Sequence, residues 1–291
     1  MPHTHIKSRE FHRPLFSYET ICRMGLFFTA CALIVACVLM WSNWLYGVLL
    51  FVLTLGSVIF ILKKRAFCLP RKPKNRPRVL MLHSVSNEVP KDVFPNNAIR
   101  PSELEALICN LKRSGYTFST LKEAFSTPRP RCIVLTFDDG LVDNYTNLFP
   151  ILKKWDIKAT IFVTDRRGPA FLSDNQIKEM YASGLIEFGG HTIDHVCVKH
   201  ASQEAREEQI ETNLKTIAQL TGEAPVSFAY PFGAYNQAAR DYCEKVGIRF
   251  AVTTRKKRFS DDLLQIERQI IPRDMPPFAA YLLVTRGKAW I

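Results

Sequence analysis

The sequence predicts an α/β domain with a parallel sheet, preceded by a long apolar segment near the N-terminus. Six short apolar runs suit buried strands, at residues 79–83, 132–137, 158–163, 185–190, 226–230 and 248–253. Five stretches of helical periodicity alternate with them, at residues 102–113, 144–155, 174–183, 203–220 and 237–245. This alternation is typical of a parallel sheet whose strands are connected by helices.

The apolar segment covers residues 24–62, which contain no charged side chain. As one continuous helix it would measure about 58 Å, almost twice the ~30 Å hydrocarbon thickness of a bilayer. The sequence Ser-Asn-Trp at residues 42–44 interrupts the run near its middle. We therefore predict a transmembrane helical hairpin, with spans at about residues 25–41 and 45–62.

Positive charge flanks this segment on both sides. Residues 1–23 form a basic tail of net charge +2, and the basic, Pro-rich linker at residues 63–77 contributes +8 together with Arg78. The formal net charge of +12 therefore leaves only +2 for the rest of the chain, which does not indicate a nucleic-acid-binding surface. The flanks predict a bacterial inner-membrane protein with both hairpin ends in the cytoplasm. A periplasmic or extracellular orientation is the alternative.

The hairpin and the basic linker also predict contacts with anionic membrane lipids. The remaining residues, 78–291, are numerous enough for one domain with a full hydrophobic core.

One polar string follows the predicted strand at 185–190 and reads His-Thr-Ile-Asp-His, at residues 191–195. Two imidazoles four residues apart lie on one face of a helical turn. With a third ligand, His191 and His195 can hold a divalent ion and leave one position open for water. Two solvated surface histidines are the alternative interpretation of this string alone.

A second polar string, Thr-Phe-Asp-Asp-Gly, occupies residues 136–140. One of the two aspartates, Asp138 or Asp139, can supply the third ligand. The other, held close by the tight turn that Gly140 permits, can accept a proton from an attacking water. Alone, such a string is also common in ordinary turns and helix caps. Together the two strings indicate metal-assisted hydrolysis.

A third string, Phe-Ala-Tyr-Pro-Phe-Gly at residues 228–233, is an apolar strand that runs into a Pro-Gly turn. With the first two strings and their flanking strands, it closely resembles the polysaccharide deacetylase family, whose catalytic unit is called the NodB homology domain. The likeness covers about residues 78–271. It implies a distorted, incomplete (β/α) barrel for the domain at residues 78–291.

The resemblance also implies a role for each motif residue. The first aspartate of the family motif is the general base and the second is a metal ligand, which gives these roles to Asp138 and Asp139. His191 and His195 match the two histidine ligands. The residue after the motif proline donates its backbone N–H to the oxyanion, and here that residue is Phe232.

Two departures from the family pattern need replacements. Ala229 stands where many members have an arginine that pairs with the base, and Arg268 is the candidate to take over. No leucine-rich strand with an acid histidine follows Asp262. The run at residues 79–85 instead resembles the poly-N-acetylglucosamine deacetylase branch, in which the barrel is permuted, and makes His83 the candidate general acid. A histidine that only caps a buried strand is the alternative.

The implied reaction is metal-dependent hydrolysis of the N-acetyl, or another N-acyl, amide of an amino sugar in a polysaccharide or a lipid-linked glycan. Acetate and a free amine result. The predicted cofactor is a divalent metal, with Zn²⁺ as the first choice, although this ligand set does not distinguish it from other divalent ions. The predicted partner is an N-acetylated amino-sugar glycan, with no nucleic acid.

Two other functions compete with this one. A glycosidase needs two carboxylates about 5 Å or more apart across the bond, which adjacent aspartates on one turn cannot provide. An inactive, membrane-anchored glycan-binding or scaffolding protein would be expected to lack a ligand or the base. Because Asp138, Asp139, His191 and His195 are all present, the sequence favours an active enzyme.

Overall fold

The structure is a computed structural model that describes residues 27–38, 43–64, 76–91, 93–254 and 261–286. By its internal contacts the chain divides into two units, Met1–Cys68 and Leu69–Ile291. In its described part the first unit consists of two helices, α1 at residues 27–38 and α2 at Trp44–Lys64.

The structure does not support the predicted transmembrane hairpin. Among the described residues, no helix combines the length and the apolar character that a membrane crossing requires. This finding overturns the predicted inner-membrane localisation, for either orientation of the domain, and leaves the spans at 25–41 and 45–62 without support. Residues 25, 26 and 39–41 of the first span lie outside the described residues. The predicted contacts with membrane lipids are therefore also unsupported. The basic tail at 1–23 and most of the linker at 63–77 lie outside the described residues.

The second unit is built of short strands and longer helices. Its strands are β1 (Arg78–Leu82), β2 (Ser84–Val85), β3 (Ala98–Ile99), β4 (Thr117–Phe118), β5 (Cys132–Phe137), β6 (Ala159–Val163), β7 (Ile186–Gly190), β8 (Ser227–Ala229), β9 (Phe250–Thr253), β10 (Ile266–Glu267) and β11 (Gln269–Ile270). Its helices are α3 (Pro101–Arg113), α4 (Leu121–Ser126), α5 (Phe149–Trp155), α6 (Asp174–Ala182), α7 (Gln203–Thr221), α8 (Gln237–Lys245) and α9 (Pro277–Arg286). A π-helical turn at Asn144–Leu148 leads into α5.

The six predicted strands coincide with β1 and β5 to β9, and the five predicted helices with α3, the π-helical turn plus α5, α6, α7 and α8. Strands β1, β5, β6 and β9 are buried along their whole length, which explains their continuous apolar sequences. Large side chains such as Phe137, Phe162 and Phe228 are fully buried and fill the core.

The main sheet is parallel throughout, in the order β10-β9-β8-β7-β6-β5-β1-β11, with β4 beside β5. Strands β10 and β11 are two halves of one segment, separated only by Arg268. Ile266 pairs with Val252 of β9, and Gln269 pairs with Leu80 of β1. This segment, which we call the seam, joins the two edges of the sheet. The predicted barrel is confirmed, in a nearly closed form.

Helix α7 connects β7 to β8 and has defined ends. The Ser202 side chain accepts a hydrogen bond from the Ala205 N–H, which caps the first turn. The helix stops at Gly222, whose φ of 77° lies in the left-handed region that glycine adopts most readily. Between these ends, α7 packs against β7, α6 and α8.

Candidate active site

All the predicted site residues lie at the carboxyl ends of strands or in the seam. His83 follows β1, Asp138 and Asp139 follow β5, His191 and His195 follow β7, Phe232 follows β8, and Arg268 separates β10 from β11. In parallel barrels the carboxyl ends of the strands meet at one face, where functional side chains converge.

Asp139, His191 and His195 form a compact cluster. Oδ1 of Asp139 lies 3.5 Å from Nε2 of His191 and 3.5 Å from Nε2 of His195, and the three ligand atoms lie within 4.8 Å of one another. Asp139 Oδ1 and His191 Nε2 are buried and have no hydrogen-bond partner among the described residues. Tetrahedral zinc with bonds of about 2.1 Å places its ligands about 3.4 Å apart. The two distances from Asp139 are close to this spacing, and the cluster could hold a divalent ion.

The histidine string does not form the helical turn that its spacing suggested. Thr192 has a φ of 67° and His195 a φ of 59°, so the chain enters the left-handed region twice in the loop after β7. These turns, rather than helical periodicity, bring the imidazole rings to a centroid distance of 4.8 Å. Asp139 also has a positive φ, of 73°. Such conformations cost free energy and concentrate at functional sites.

The His191 ring is oriented by the strand next to it. Its Nδ1 lies 2.7 Å from the backbone oxygen of Ala229. Because a carbonyl oxygen can only accept, Nδ1 carries the hydrogen and Nε2 keeps its lone pair toward Asp139. Burial disfavours the charged ring, but the nearby carboxylate of Asp139 and the charge of Asp138 outweigh burial and raise the pKa of His191.

His195 has the opposite balance. Burial, followed by the charge of His191, lowers the pKa of His195 to about 4, although Asp139 opposes this. A neutral imidazole is the form that binds a metal ion, so His195 is ready to act as a ligand at neutral pH.

Asp138 forms a buried two-point ion pair with Arg268. Nη1 of Arg268 donates to Oδ1 of Asp138 at 2.6 Å, and Nη2 donates to Oδ2 at 2.7 Å. Nη1 also donates to Thr136 Oγ1, and the Arg268 backbone N–H donates to the Thr253 oxygen. Burial alone would raise the pKa of Asp138, but the charge and hydrogen bonds of Arg268 hold that pKa well below its usual range.

His83 lies on the other side of Asp138, with Nε2 3.9 Å from Asp138 Oδ2. Asn97 contacts it twice, because its Nδ2 lies 3.3 Å from His83 Nε2 and its backbone oxygen accepts from the His83 N–H. Asn144 Nδ2 donates to the His83 oxygen at 2.9 Å. Burial lowers the pKa of His83, and the charge of Asp138 opposes this in part.

Phe232 lies in the tight turn after Pro231, with a φ of 57°. Its side chain is 63% exposed, and its ring packs edge-on against His195 at a centroid distance of 4.6 Å. The next residue, Gly233, has a φ of 63°, and a Cβ there would collide with Thr254. The turn therefore fixes the Phe232 backbone, while the ring forms a wall beside the cluster.

Sequence reasoning missed the asparagines that support the site. Asn213 lies on the same buried face of α7 as Ile210, Leu214 and Ile217. A polar residue on an apolar helical stripe is a signal that could have identified it. Asn97, which is half-buried, ends a short 3-10 turn, and Asn144 begins the π-helical turn, so neither gives a comparable signal.

A family model and two similar sequences all point to one family of proteins. The polysaccharide deacetylase family matches residues 125–251. A Bacillus subtilis relative, YxkH, whose designation places it among the polysaccharide deacetylases, is 32% identical over 201 residues, covering 66% of this chain and 68% of that protein. Poly-β-1,6-N-acetyl-D-glucosamine N-deacetylase of Staphylococcus epidermidis is 28% identical over 233 residues, covering 69% and 81% respectively.

Solved structures agree with the sequence relatives. The Streptococcus pyogenes deacetylase PplD, solved in complex with acetate, has a TM-score of 0.63 at 27% identity, covering 74% of this chain and 99% of that chain. The sequence relatives, this structure and the parallel barrel together show that the chain belongs to the polysaccharide deacetylase family of hydrolases.

Proposed function

We propose that the protein is a metal-dependent N-deacetylase that hydrolyses the N-acetyl amide of an amino-sugar glycan and releases acetate. One observation carries the proposal. The Asp139, His191 and His195 cluster lies beside a carboxylate, Asp138, that is paired with Arg268 and is not needed as a ligand.

The cluster provides the metal site of this proposal. Two imidazoles and one carboxylate are a typical ligand set for a catalytic divalent ion, and Zn²⁺ is our first choice. When bound, such an ion polarises an amide carbonyl and lowers the pKa of water. Asp139, His191 and His195 would hold it, and the unpartnered Asp139 Oδ1 and His191 Nε2 support this assignment.

Asp138 acts as the general base. It stays ionised at neutral pH because Arg268 holds its pKa low, so it is ready to accept a proton from the attacking water. A carboxylate has lone pairs beyond the two that Arg268 occupies, so the pairing does not block this role.

Two further groups would assist the tetrahedral intermediate, one while it forms and one while it breaks down. The Phe232 backbone N–H donates a hydrogen bond to the oxygen that gains negative charge. His83, in its protonated form, gives a proton to the departing amine nitrogen. His83 Nε2 lies 3.9 Å from Asp138 Oδ2, which is close enough for the two groups to act on the same amide as acid and base.

The competing functions have less support. In a glycosidase with paired carboxylates, the contacts of Asp139 with His191 and His195 would have no purpose. In an inactive scaffold, a strained backbone at Asp139 and His195 would be kept without a function.

We favour a polymeric substrate over a lipid-linked one. The staphylococcal relative is named as acting on poly-β-1,6-N-acetyl-D-glucosamine. The lipid-linked alternative depended on a membrane placement that the helices do not support. Polymer and lipid-linked glycans present the same amide, so the comparison of the two substrates is part of the test.

The test is acetate release by the purified, Zn²⁺-loaded protein from poly-β-1,6-N-acetylglucosamine oligomers, chitin oligomers and a lipid-linked N-acetylhexosamine. We expect release from at least one polymer. Asp138→Asn should reduce turnover by about 10²- to 10⁴-fold, the usual contribution of a general base, and should keep the bound metal.

Asp156→Asn is the matched control, because Asp156 is an exposed residue with left-handed backbone that asparagine also tolerates. This control should keep full activity. Undiminished acetate release by Asp138→Asn would refute the base assignment. No release from any N-acetylated glycan by metal-loaded protein would refute the proposed function.

A further inference from the structure

We propose that Asn213, on helix α7, is a positioning residue that fixes the metal ligand His191 through its backbone. The inference rests on the proposed metal site and extends it to a residue that contributes no ligand atom to that site.

Asn213 is fully buried, and its side-chain amide uses both ends. Oδ1 accepts a hydrogen bond from the His191 N–H at 2.9 Å. Nδ2 donates to the Val163 backbone oxygen at 3.0 Å and to Asp165 Oδ1 at 2.6 Å. One side chain therefore ties α7 to the ends of both β6 and β7, the strands that lead to the site.

The chemistry of these partners makes the amide hard to replace. The His191 N–H can only donate, whereas the Val163 oxygen and the Asp165 carboxylate can only accept. A side chain with an acceptor on one side and a donor on the other satisfies all three. Aspartate would set a second negative charge against Asp165, and leucine would leave the three polar groups without this partner.

Asp165 extends the same network to the middle of the histidine loop. Its Oδ2 accepts from Thr216 Oγ1 of α7 at 2.7 Å, and its backbone N–H donates to the Ile193 oxygen at 3.0 Å. Ile193 lies between the two histidine ligands. The loop is thus held at His191 by Asn213 and at Ile193 by Asp165.

Close packing makes this connection stiff. A Cβ at Gly190 would lie 3.0 Å from Asn213 Oδ1 and 2.7 Å from Leu214 Cδ2. Helix α7 therefore approaches the end of β7 so closely that a change at Asn213 cannot be absorbed by empty space.

His191 is consequently fixed at two points, its N–H by Asn213 and its ring Nδ1 by the Ala229 oxygen. With both held, Nε2 is directed toward Asp139 Oδ1. Removal of one support should let the imidazole shift from its ligand position. Loss of such outer supports typically costs 10- to 100-fold in metal affinity.

The experiment measures Zn²⁺ dissociation constants of the full chain by competition with a chromophoric chelator. It also measures thermal unfolding of the metal-free protein. Asn213→Leu and Asn213→Asp should weaken Zn²⁺ binding by about 10- to 100-fold. Thr216→Val, which removes one hydrogen bond to Asp165, should have a smaller effect.

Asn110→Leu is the matched control. Asn110 is a buried asparagine on α3, a helix that contributes no residue to the site. This variant is expected to lower stability and to keep the Zn²⁺ affinity of the natural protein, which separates a general loss of stability from a loss of ligand positioning.

The imidazole ring of His191 reports the route of the effect directly. If Asn213 acts through His191, Asn213→Leu should shift the ring ¹H–¹⁵N resonances of His191 in the metal-free protein, whereas Asn110→Leu should leave them in place. Unchanged His191 resonances would overturn the inference, and so would an unchanged affinity in folded Asn213→Leu. A natural protein that binds no Zn²⁺ would instead refute the metal site on which the inference rests.

Discussion

The guanidinium group of Arg268 and the carboxylate of Asp138 form a two-point ion pair inside the barrel, with N–O distances of 2.6 Å and 2.7 Å. The planar fork of arginine matches the two oxygens of a carboxylate, and hydrogen bonds between charged groups are the strong ones. The arrangement lets Asp138 remain charged in a place where burial alone would neutralise it.

Replacement of Arg268 by methionine should move the acid limb of kcat/KM to higher pH. The folded-state pKa of Asp138 is lowered in the natural protein, so the base is protonated only in strong acid. Without Arg268, burial dominates and raises this pKa, so the base becomes protonated at milder pH. A pH profile of kcat/KM from pH 4 to 9 measures the shift.

Arg268→Lys should give a smaller shift, because it keeps the charge and loses the fork. Arg113→Met, which removes an exposed arginine from the last turn of α3, is the control for a general loss of charge. An unchanged acid limb in Arg268→Met would contradict the role of Arg268.

Removal of a metal ligand should remove the ion without unfolding the barrel. Asp139→Asn and His195→Ala should each bind far less than one Zn²⁺ per chain, because three protein ligands are the usual minimum for a catalytic site. Elemental analysis after dialysis measures this, and circular dichroism checks the fold. Full occupancy in both variants would place the ion elsewhere.

The loss of activity in His83→Ala should depend on the leaving group of the substrate. An amine must be protonated as it departs, whereas an activated aryl ester leaves without help. We expect a loss of about 10²- to 10⁴-fold on an N-acetyl glycan and little loss on 4-nitrophenyl acetate. Equal losses on both substrates would assign His83 a structural role.

Activity should depend on the backbone conformation of the turn at Phe232 more than on the Phe232 ring. Phe232→Ala keeps the backbone N–H and removes an exposed side chain, so kcat should change by less than about threefold. Gly233→Ala should be far more harmful, because its φ is positive and its Cβ would meet Thr254. Steady-state kinetics and thermal unfolding of the two variants measure the difference.

Local sequence predicted the elements that are long and apolar. Strands such as β5 and β6 are continuous buried runs, and α7 and α8 carry recognisable start signals. The two-residue strands were not predictable, because their pairing is decided by the rest of the barrel. The uncharged stretch at 24–62 suggested two membrane spans, yet among the described residues no helix is long and apolar enough to form one.

The chemical types of the site were predictable and their geometry was not. The motif strings identified Asp138, Asp139, His191 and His195. The left-handed turns at Thr192 and His195 could not be predicted from a four-residue spacing. The partner of Asp138 lies 130 residues away, and only the closing of the sheet brings Arg268 to it.

The seam links closure of the barrel to the charge of Asp138. It holds both outer strands together and carries the cation that keeps Asp138 ionised. A fragment limited to residues 125–251 would lack both Arg268 and His83. In it, Asp138 would have no arginine partner and would lie beside an unpaired edge of the sheet. In a chain whose seam has not closed, Asp138 would therefore lack the cation that holds its pKa low.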